Sequence, residues 1–128
     1  MFTRPSPREI CGKVADALVA LNAGRFQLGP LKHLSSDLAE LELAAASRLP
    51  DLLIVLLEEI RHAGPLECYA GTRPPQRSYE PEILKLELWA YRWHSPRCRK
   101  RMYLKFALKN QCYIHVDCHE DRPPERLL

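Results

Sequence analysis

The last third of the chain carries acidic, basic and tyrosine side chains at alternating positions. Residues 84–91, 102–109 and 112–119 each alternate apolar and polar side chains, which is the pattern of a strand with one buried face. If the three apolar faces share one side of a sheet, the polar side chains gather on the other side. That polar face would hold Glu87, Tyr103, Lys105, His115, Asp117 and His119.

These groups suit the cleavage of RNA without a metal ion. The reaction needs a base for the 2′-hydroxyl, an acid for the leaving 5′-oxygen and cations for the charge on phosphorus. Glu87, His115 and His119 are candidates for the proton transfers, and Lys105 with the cationic cluster at 97–101 for the charge. Tyr103, Tyr91 and Trp89 could stack on unpaired bases. The residues themselves therefore predict a catalytic set of Glu87, Lys105, His115 and His119.

A basic segment adjoins this set. Residues 92–109 contain lysines and arginines but no acid, although the net charge of the 128-residue chain is only +3. Such asymmetry favours an anionic partner, and aromatic side chains between the cations could stack on unpaired bases. The predicted RNA-binding residues are Trp89, Tyr91, Arg92, Arg97, Arg99, Lys100 and Arg101.

Two other chemistries are weaker. His115, Asp117 and His119 offer metal-ligand side chains, but same-face neighbours on a strand lie roughly 6.5–7 Å apart and the outer two about twice that, so no metal site is predicted. Cys98 lies in the basic segment, where cations favour a thiolate, but no orienting group accompanies it. No cofactor is predicted, because the glycines form no nucleotide-binding pattern.

Helices must position this sheet. Ser6, Pro7 and Glu9 form a capping box that begins a first helix. A second helix is predicted from the cap at Ser35–Asp37 to near Arg48, and a third over 51–63. The sequence therefore predicts an α+β fold, with N-terminal helices packed on a C-terminal antiparallel sheet. We expect one domain over 1–128, frayed at 1–5 and 121–128.

Burial also predicts how the last two strands pair. A two-residue turn at Asn110 and Gln111 would pair Lys105 with Val116 and mix the two faces. We therefore predict a loop of about three residues. This loop places Lys105 opposite or diagonal to Asp117, and Tyr103 near His119.

Composition indicates a cytoplasmic protein without a membrane partner. The N-terminus lacks an apolar signal segment, and no apolar run approaches the length of a membrane span. The five cysteines are odd in number and irregularly spaced, which argues against a disulfide framework and for reduced thiols.

Two strands resemble a known family. Met-Tyr-Leu-Lys-Phe at 102–106 is similar to a Val-Tyr-Leu-Lys-Ile strand of the MqsR branch of the RelE-like toxins, and Val-Asp-Cys-His-Glu at 116–120 resembles that family's Val-Ser-Phe-Lys-Glu ending. The family comprises cytoplasmic mRNA interferases of type II toxin–antitoxin systems. The resemblance implies an α+β fold of this kind, a catalytic role for Tyr103, and His119 in the place of a catalytic lysine. It also implies mRNA, free or on the ribosome, as substrate and an antitoxin protein as partner.

The chain departs from the family pattern at two positions, since Ala70 and Ala90 stand where the family has a lysine and a glutamine. From the residues and the resemblance together, we expect a metal-independent endoribonuclease, an mRNA interferase-like toxin. The alternative is a non-catalytic module that binds RNA or inhibits a protein through the same basic face.

Overall fold

A computed structural model describes residues 4–122 of the chain. Helices come first and most of the sheet comes last, which confirms the α+β class. In chain order the elements are α1 (Pro7–Asn22), β1 (Phe26–Leu28), α2 (Leu34–Glu40), a 3₁₀ turn (Ala46–Arg48), α3 (Leu49–Ala63), α4 (Pro65–Cys68), a second 3₁₀ turn (Pro81–Ile83), β2 (Trp89–Ser95), β3 (Lys100–Lys109) and β4 (Cys112–Glu120).

The sheet is mixed, with strand order β1-β4-β3-β2. β2, β3 and β4 are antiparallel, as predicted for the C-terminal sheet, but β1 adds a strand parallel to β4 that the prediction did not include. Helices and the strands β2 and β3 separate β1 from β4 in sequence, so no hairpin requires these two strands to be antiparallel. The chain leaves β1 at Gly29, whose N–H donates to the carbonyl of His115 at 2.8 Å. A Cβ at Gly29 would stand 2.5 Å from that same oxygen, so the close approach needs glycine.

The long helices form where the sequence predicts them. In α1, the Ser6 hydroxyl accepts from the Glu9 N–H at 3.1 Å and the Ser6 N–H donates to the Glu9 carboxylate at 3.2 Å. α3 has proline in its first turn, which costs no hydrogen bond there. Both helices bury an apolar stripe against one face of the sheet, the inner face.

α2 differs from its prediction. It begins at Leu34 without a side-chain cap and ends at Glu40, well before Arg48. Asp37 does not cap the helix but lies within it, almost fully buried. Its carboxylate instead accepts from the Cys118 N–H of β4 at 3.0 Å, so tertiary contact outweighs the local capping preference.

The sheet is covered on both faces in one half. The main core fills the inner face, while a smaller cluster occupies the opposite, outer face near the β3–β4 turn. This second cluster explains why β2 is inverted relative to its predicted phase: Leu88 packs outward, and Trp89 and Tyr91 pack inward. Two aromatic rings bury more apolar area in the larger core than leucine and alanine would. The outer cluster consists of Ile83, Leu88, Ala107, Ile114 and Val116.

A bulge corrects the register between β3 and β4. The turn is only Asn110 and Gln111, both with positive φ, so the predicted three-residue loop is wrong. The extra residue lies within β4, because Phe106 pairs with His115 while Lys105 pairs with Asp117. The predicted neighbours are nevertheless confirmed: Lys105 is opposite Asp117, and Tyr103 is opposite His119.

Both ends of the described chain are tied to the fold, although 1–5 and 121–128 are predicted to fray. Arg4 binds Glu9 and Glu87, and the Asp121 N–H donates to the Arg101 carbonyl at 2.9 Å. Residues 1–3 and 123–128 lie outside the described part of the chain. Within residues 4–122, no helix has both the length and the apolar character that crossing a membrane requires.

Candidate functional site

Three side chains form a row across the outer face of the sheet. Arg92 of β2 pairs with Tyr103 of β3, which pairs with His119 of β4. The Tyr103 and His119 rings stack with centroids 5.4 Å apart and planes 23° apart. The Arg92 guanidinium carbon lies 5.6 Å from the Tyr103 centroid. Because β3 lies between β2 and β4, the cation and the imidazole flank the phenol ring from opposite sides.

Asp121 holds the arginine end of this row. Its Oδ1 accepts from Arg92 Nε at 2.9 Å, and its Oδ2 accepts from Arg101 Nε at 3.4 Å. One carboxylate thus restrains two guanidinium groups just beyond the end of β4. Sequence reasoning missed Asp121 because it follows the last predicted strand. The available signal was an acid placed directly after a strand that faces a basic segment.

The hydrogen bonding of His119 assigns its tautomer. Its Nδ1 lies 2.8 Å from the Glu120 carbonyl oxygen. Because a carbonyl oxygen only accepts, Nδ1 must carry the proton, and Nε2 of the neutral ring keeps its lone pair. Nε2 can therefore accept a proton from a substrate, and it can donate one when the ring is charged.

Tyr103 remains a hydrogen-bond donor at neutral pH. Burial raises the pKa of its phenol, and the Asp117 carboxylate raises this pKa further, although Arg92 opposes the shift. The phenol therefore keeps its proton and can donate to a phosphate oxygen.

Lys105 and Asp117 form the next rung on the same face. Their charged atoms lie 3.4 Å apart, and both side chains are largely buried. Asp117 is one same-face step from His119, which is roughly 6.5–7 Å along a strand. The outer face therefore places an imidazole and a carboxylate at a separation that one phosphodiester can bridge.

His115 does not belong to this face, and its predicted outward placement is wrong. It is 2% exposed, and its Nε2 lies 3.4 Å from Oδ2 of the buried Asp37. The Asp37 carboxylate is thus close to the imidazole, but the contact does not have hydrogen-bond geometry. Both ring nitrogens therefore lack a hydrogen-bond partner among the described residues. The bulge is the cause, because it shifts every residue between it and the turn to the opposite face.

Glu87 also lies away from the row. It precedes β2 and accepts from Arg4 at 2.7 and 3.1 Å. Arg4 also binds Glu9 of α1, so the carboxylate belongs to the helix-bearing side of the sheet. The predicted placement of Glu87 beside the histidines is therefore wrong.

Two of the three aromatic residues predicted to stack on RNA bases are buried. Trp89 is 1% exposed and Tyr91 is 0% exposed. The Tyr91 hydroxyl donates to the Ile10 carbonyl at 2.8 Å, and Lys13 lies 5.2 Å over the Trp89 ring. Their predicted placement on the binding face is wrong, for the same inversion of β2 that moves Leu88 outward.

The cations predicted to bind RNA sit on and beside the β2–β3 turn. Glu59 of α3 anchors this turn by accepting from Trp93 Nε1 at 3.0 Å, the Ser95 hydroxyl at 2.7 Å and the Arg97 N–H at 2.9 Å. The backbone is thus fixed by a carboxylate that sequence reasoning missed. The cations themselves face solvent to differing degrees: Arg97, Arg99 and Arg101 are exposed, and Lys100 is half-buried.

A groove lies between this turn and the end of α2. It has a volume of about 380 Å³, with Arg97, Arg99 and Lys100 on one wall and Glu40 and Glu42 on the other. The wall of cations continues the basic surface from Arg92 and Arg101 toward α2. This surface can contact several phosphates of one strand.

The remaining candidate chemistries gain no support. The Cys98 N–H donates to the Ser95 hydroxyl at 3.0 Å, and this hydrogen bond is part of the β2–β3 turn. Within residues 4–122, no three His, Cys, Asp or Glu side chains are grouped so that they could hold a metal ion. Comparison of the chain with protein-family models, curated proteins and solved structures finds no match.

Proposed function

We propose that this protein is a metal-independent endoribonuclease, an mRNA interferase-like toxin of the RelE/MqsR kind. The observation that carries the proposal is the stacked row of Arg92, Tyr103 and His119 on the open face of the sheet. The Tyr-Leu-Lys strand and the His-Glu ending that resemble the family contribute two members of this row. The resemblance is also the ground for proposing mRNA as substrate and an antitoxin as partner.

In the proposed reaction, the 2′-oxygen attacks the adjacent phosphorus and the bond from phosphorus to the 5′-oxygen breaks. The charged His119 ring donates its Nε2 proton to the leaving 5′-oxygen, and the Asp117 carboxylate accepts the proton of the 2′-hydroxyl. The products are a 2′,3′-cyclic phosphate and a 5′-hydroxyl. Asp117 takes the role expected of Glu87, which binds Arg4 on the other side of the sheet.

The charge that develops on phosphorus is met by donors already in place. The Arg92 guanidinium and the Tyr103 hydroxyl can donate to the non-bridging oxygens, and Lys105 adds positive charge from the neighbouring rung. Asp121 and the stacking restrain Arg92 before substrate arrives. Such preorganisation avoids the cost of ordering the side chains during the reaction.

The RNA would be held mainly by its phosphates. Both faces of the Tyr103 ring are flanked, and Trp89 and Tyr91 are buried, so none of the three offers a base an open ring face. Arg97, Arg99, Lys100 and Arg101 extend the positive surface beyond the row. We expect affinity to depend strongly on salt.

The test is single-turnover cleavage of a labelled single-stranded RNA with EDTA present throughout. His119→Ala should lower the rate roughly 10²–10⁴-fold while RNA affinity changes little. His62→Ala is the matched control, because His62 is an exposed histidine on α3. A substrate with a 2′-deoxy group at the cleaved position should not react.

A rate that His119→Ala leaves unchanged, or that EDTA abolishes, would reject this mechanism. Salt-dependent binding without any cleavage would favour an RNA-binding module on the same face. If neither cleavage nor binding occurs, inhibition of a protein through the basic surface becomes the leading alternative.

A further inference from the structure

The edge of β4 near His119 is covered by side chains instead of a strand. β1 pairs with β4 only at residues 113–115, so the strand continues beyond its parallel partner. Past that point, the Cys118 N–H donates to Asp37 Oδ2 at 3.0 Å and the Glu120 N–H donates to Glu40 Oε2 at 2.8 Å. Asp37 and Glu40 are three residues apart and therefore share one face of α2.

The spacing of the two carboxylates matches the spacing of the two amides. Residues 118 and 120 are alternate positions of a strand, so their N–H groups point to the same edge. An unpaired N–H at that edge would need water or another acceptor. α2 thus supplies, from two side chains, the acceptors that a neighbouring strand would supply from its carbonyls.

Both contacts are themselves restrained. Asp37 is almost fully buried and lies beside His115, and Glu40 also forms an ion pair with Arg122. Carboxylate acceptors make stronger hydrogen bonds to N–H groups than neutral carbonyls do. The anchor therefore limits local opening of the strand at its C-terminal end.

The residue between the two anchored amides is His119. Glu40 holds the peptide that joins His119 to Glu120, and the Asp121 N–H bonded to Arg101 holds the following peptide. The carbonyl of that second peptide accepts from His119 Nδ1. The orientation and the tautomer of the imidazole thus depend on backbone that α2 and β3 fix together.

We propose that Asp37 and Glu40 are positioning residues for His119, acting through the β4 backbone. The inference rests on the proposed function only for its consequence in catalysis. The structural part, that α2 fixes the peptide and tautomer of His119, stands without it. Glu40 is the better residue to vary, because Asp37 is buried in the fold and its removal endangers folding.

The test is NMR on isotope-labelled protein without RNA, together with the cleavage assay. Glu40→Ala should speed hydrogen exchange of the Glu120 amide about tenfold or more, since a charge-assisted hydrogen bond is lost. The ¹⁵N shifts of His119 should move from the Nδ1–H tautomer toward a mixture. The single-turnover rate at saturating protein should fall about tenfold, because a misplaced group affects the reaction step.

Three variants serve as controls. Glu40→Gln keeps an oxygen acceptor for the Glu120 N–H, so it should restore exchange protection, tautomer and rate. Arg122→Ala removes the ion pair but leaves the acceptor, so it should resemble wild type in all three measurements. If Asp37→Asn folds, it should likewise keep the Cys118 amide protected.

Unchanged exchange and tautomer in Glu40→Ala would overturn the inference, whatever happens to cleavage. Changed exchange and tautomer with an unchanged cleavage rate, in a protein that His119→Ala inactivates, would also overturn the positioning role. Failure of the proposed function is separate: His119→Ala would then leave cleavage intact while the NMR result still decides whether α2 holds His119.

Discussion

Two histidines on one strand, His115 and His119, have opposite environments. His119 stacks on Tyr103 at the open face, whereas His115 is 2% exposed and lies beside Asp37 in the interior. Four residues apart on a regular strand, they would share a face. The bulge between them adds one residue, so the side chains of β4 between the bulge and the β3–β4 turn point to the opposite face. Two side chains of the same type on one strand thus differ in burial because of one irregularity of the backbone.

The same division runs through the sheet. Toward the turn, the outer face carries Ala107, Ile114 and Val116, and these are covered by Ile83 and Leu88. Beyond the bulge, the outer face carries polar side chains, and no apolar cluster covers them within residues 4–122. Burial on both faces near the turn favours stability. Beyond the bulge, polar side chains on rigid strands are suited to a functional site.

The largest expected effect is a difference in the free energy of unfolding between variants of the two histidines. His115→Ala should lower the free energy of unfolding by about 3 kcal/mol, because it leaves a cavity and removes the group beside the buried Asp37 carboxylate. His119→Ala, at a half-buried position, should change it by less than about 1 kcal/mol. Urea unfolding followed by fluorescence measures both.

Cleavage should show the reverse order. The folded fraction of His115→Ala should cleave RNA at close to the wild-type rate, while folded His119→Ala should not. A His115→Ala protein that is fully stable but cleaves as slowly as His119→Ala would contradict the different roles expected for the two histidines.

A smaller effect concerns the basic surface beside the open half. Replacing Arg99 and Arg101 together by alanine should weaken RNA binding about tenfold and reduce the slope of log K against log salt by about 1.4, at about 0.7 for each contact. The physical reason is the release of fewer counterions. Binding titrations across a series of salt concentrations measure the slope.

Arg61→Ala is the control for this surface, because Arg61 is an exposed arginine of α3 paired with Glu58. It should leave the slope as in wild type. A double variant with an unaltered slope would exclude the β2–β3 turn from the binding surface.

The smallest effect tests the buried half through its tyrosines. The Tyr113 hydroxyl is buried without a partner among the described residues, so Tyr113→Phe should raise the free energy of unfolding by about 1 kcal/mol at neutral pH. Tyr91→Phe should lower it by a similar amount, because the Tyr91 hydroxyl donates to the Ile10 carbonyl. Thermal or urea unfolding of the pair should give opposite signs.

Alkaline pH sharpens the same test. Burial raises the pKa of Tyr113 well above its usual value. Above pH ~10 the unfolded chain loses this proton and the folded chain does not, so this residue makes stability fall as pH rises. Tyr113→Phe removes that loss, so its free energy of unfolding should decline with pH less steeply than that of the wild type, by about 1.4 kcal/mol per pH unit. Parallel stability curves for the two proteins above pH ~10 would contradict the burial of this hydroxyl.

Much of the local structure was predictable. The capping box of Ser6 and Glu9 and the stripe of α1 follow from short-range rules, namely capping and helical period. The facing of Tyr103 and His119 is predicted from the requirement that both strands bury their apolar faces on one side, and the bulge in β4 meets that requirement. The wrong predictions about which way side chains on the strands face involve the second face of the sheet. Leu88 and Trp89 are adjacent in sequence and both apolar, so strand alternation alone cannot predict which of them faces the larger core.

The sequence by itself determined the two long helices, the last two strands, the α+β order and the candidate residues for chemistry, because these depend on neighbours within a few positions along the chain. Only the tertiary structure decided which of those residues meet. It turned His115 inward, tied Glu87 to Arg4, brought Asp121 to Arg92 and set Asp37 and Glu40 of α2 against the amides that flank His119. The physical reason is that a bulge, a second apolar cluster and a buried carboxylate are selected by burial and hydrogen bonding across the whole fold, between segments whose separation in sequence carries no local signal.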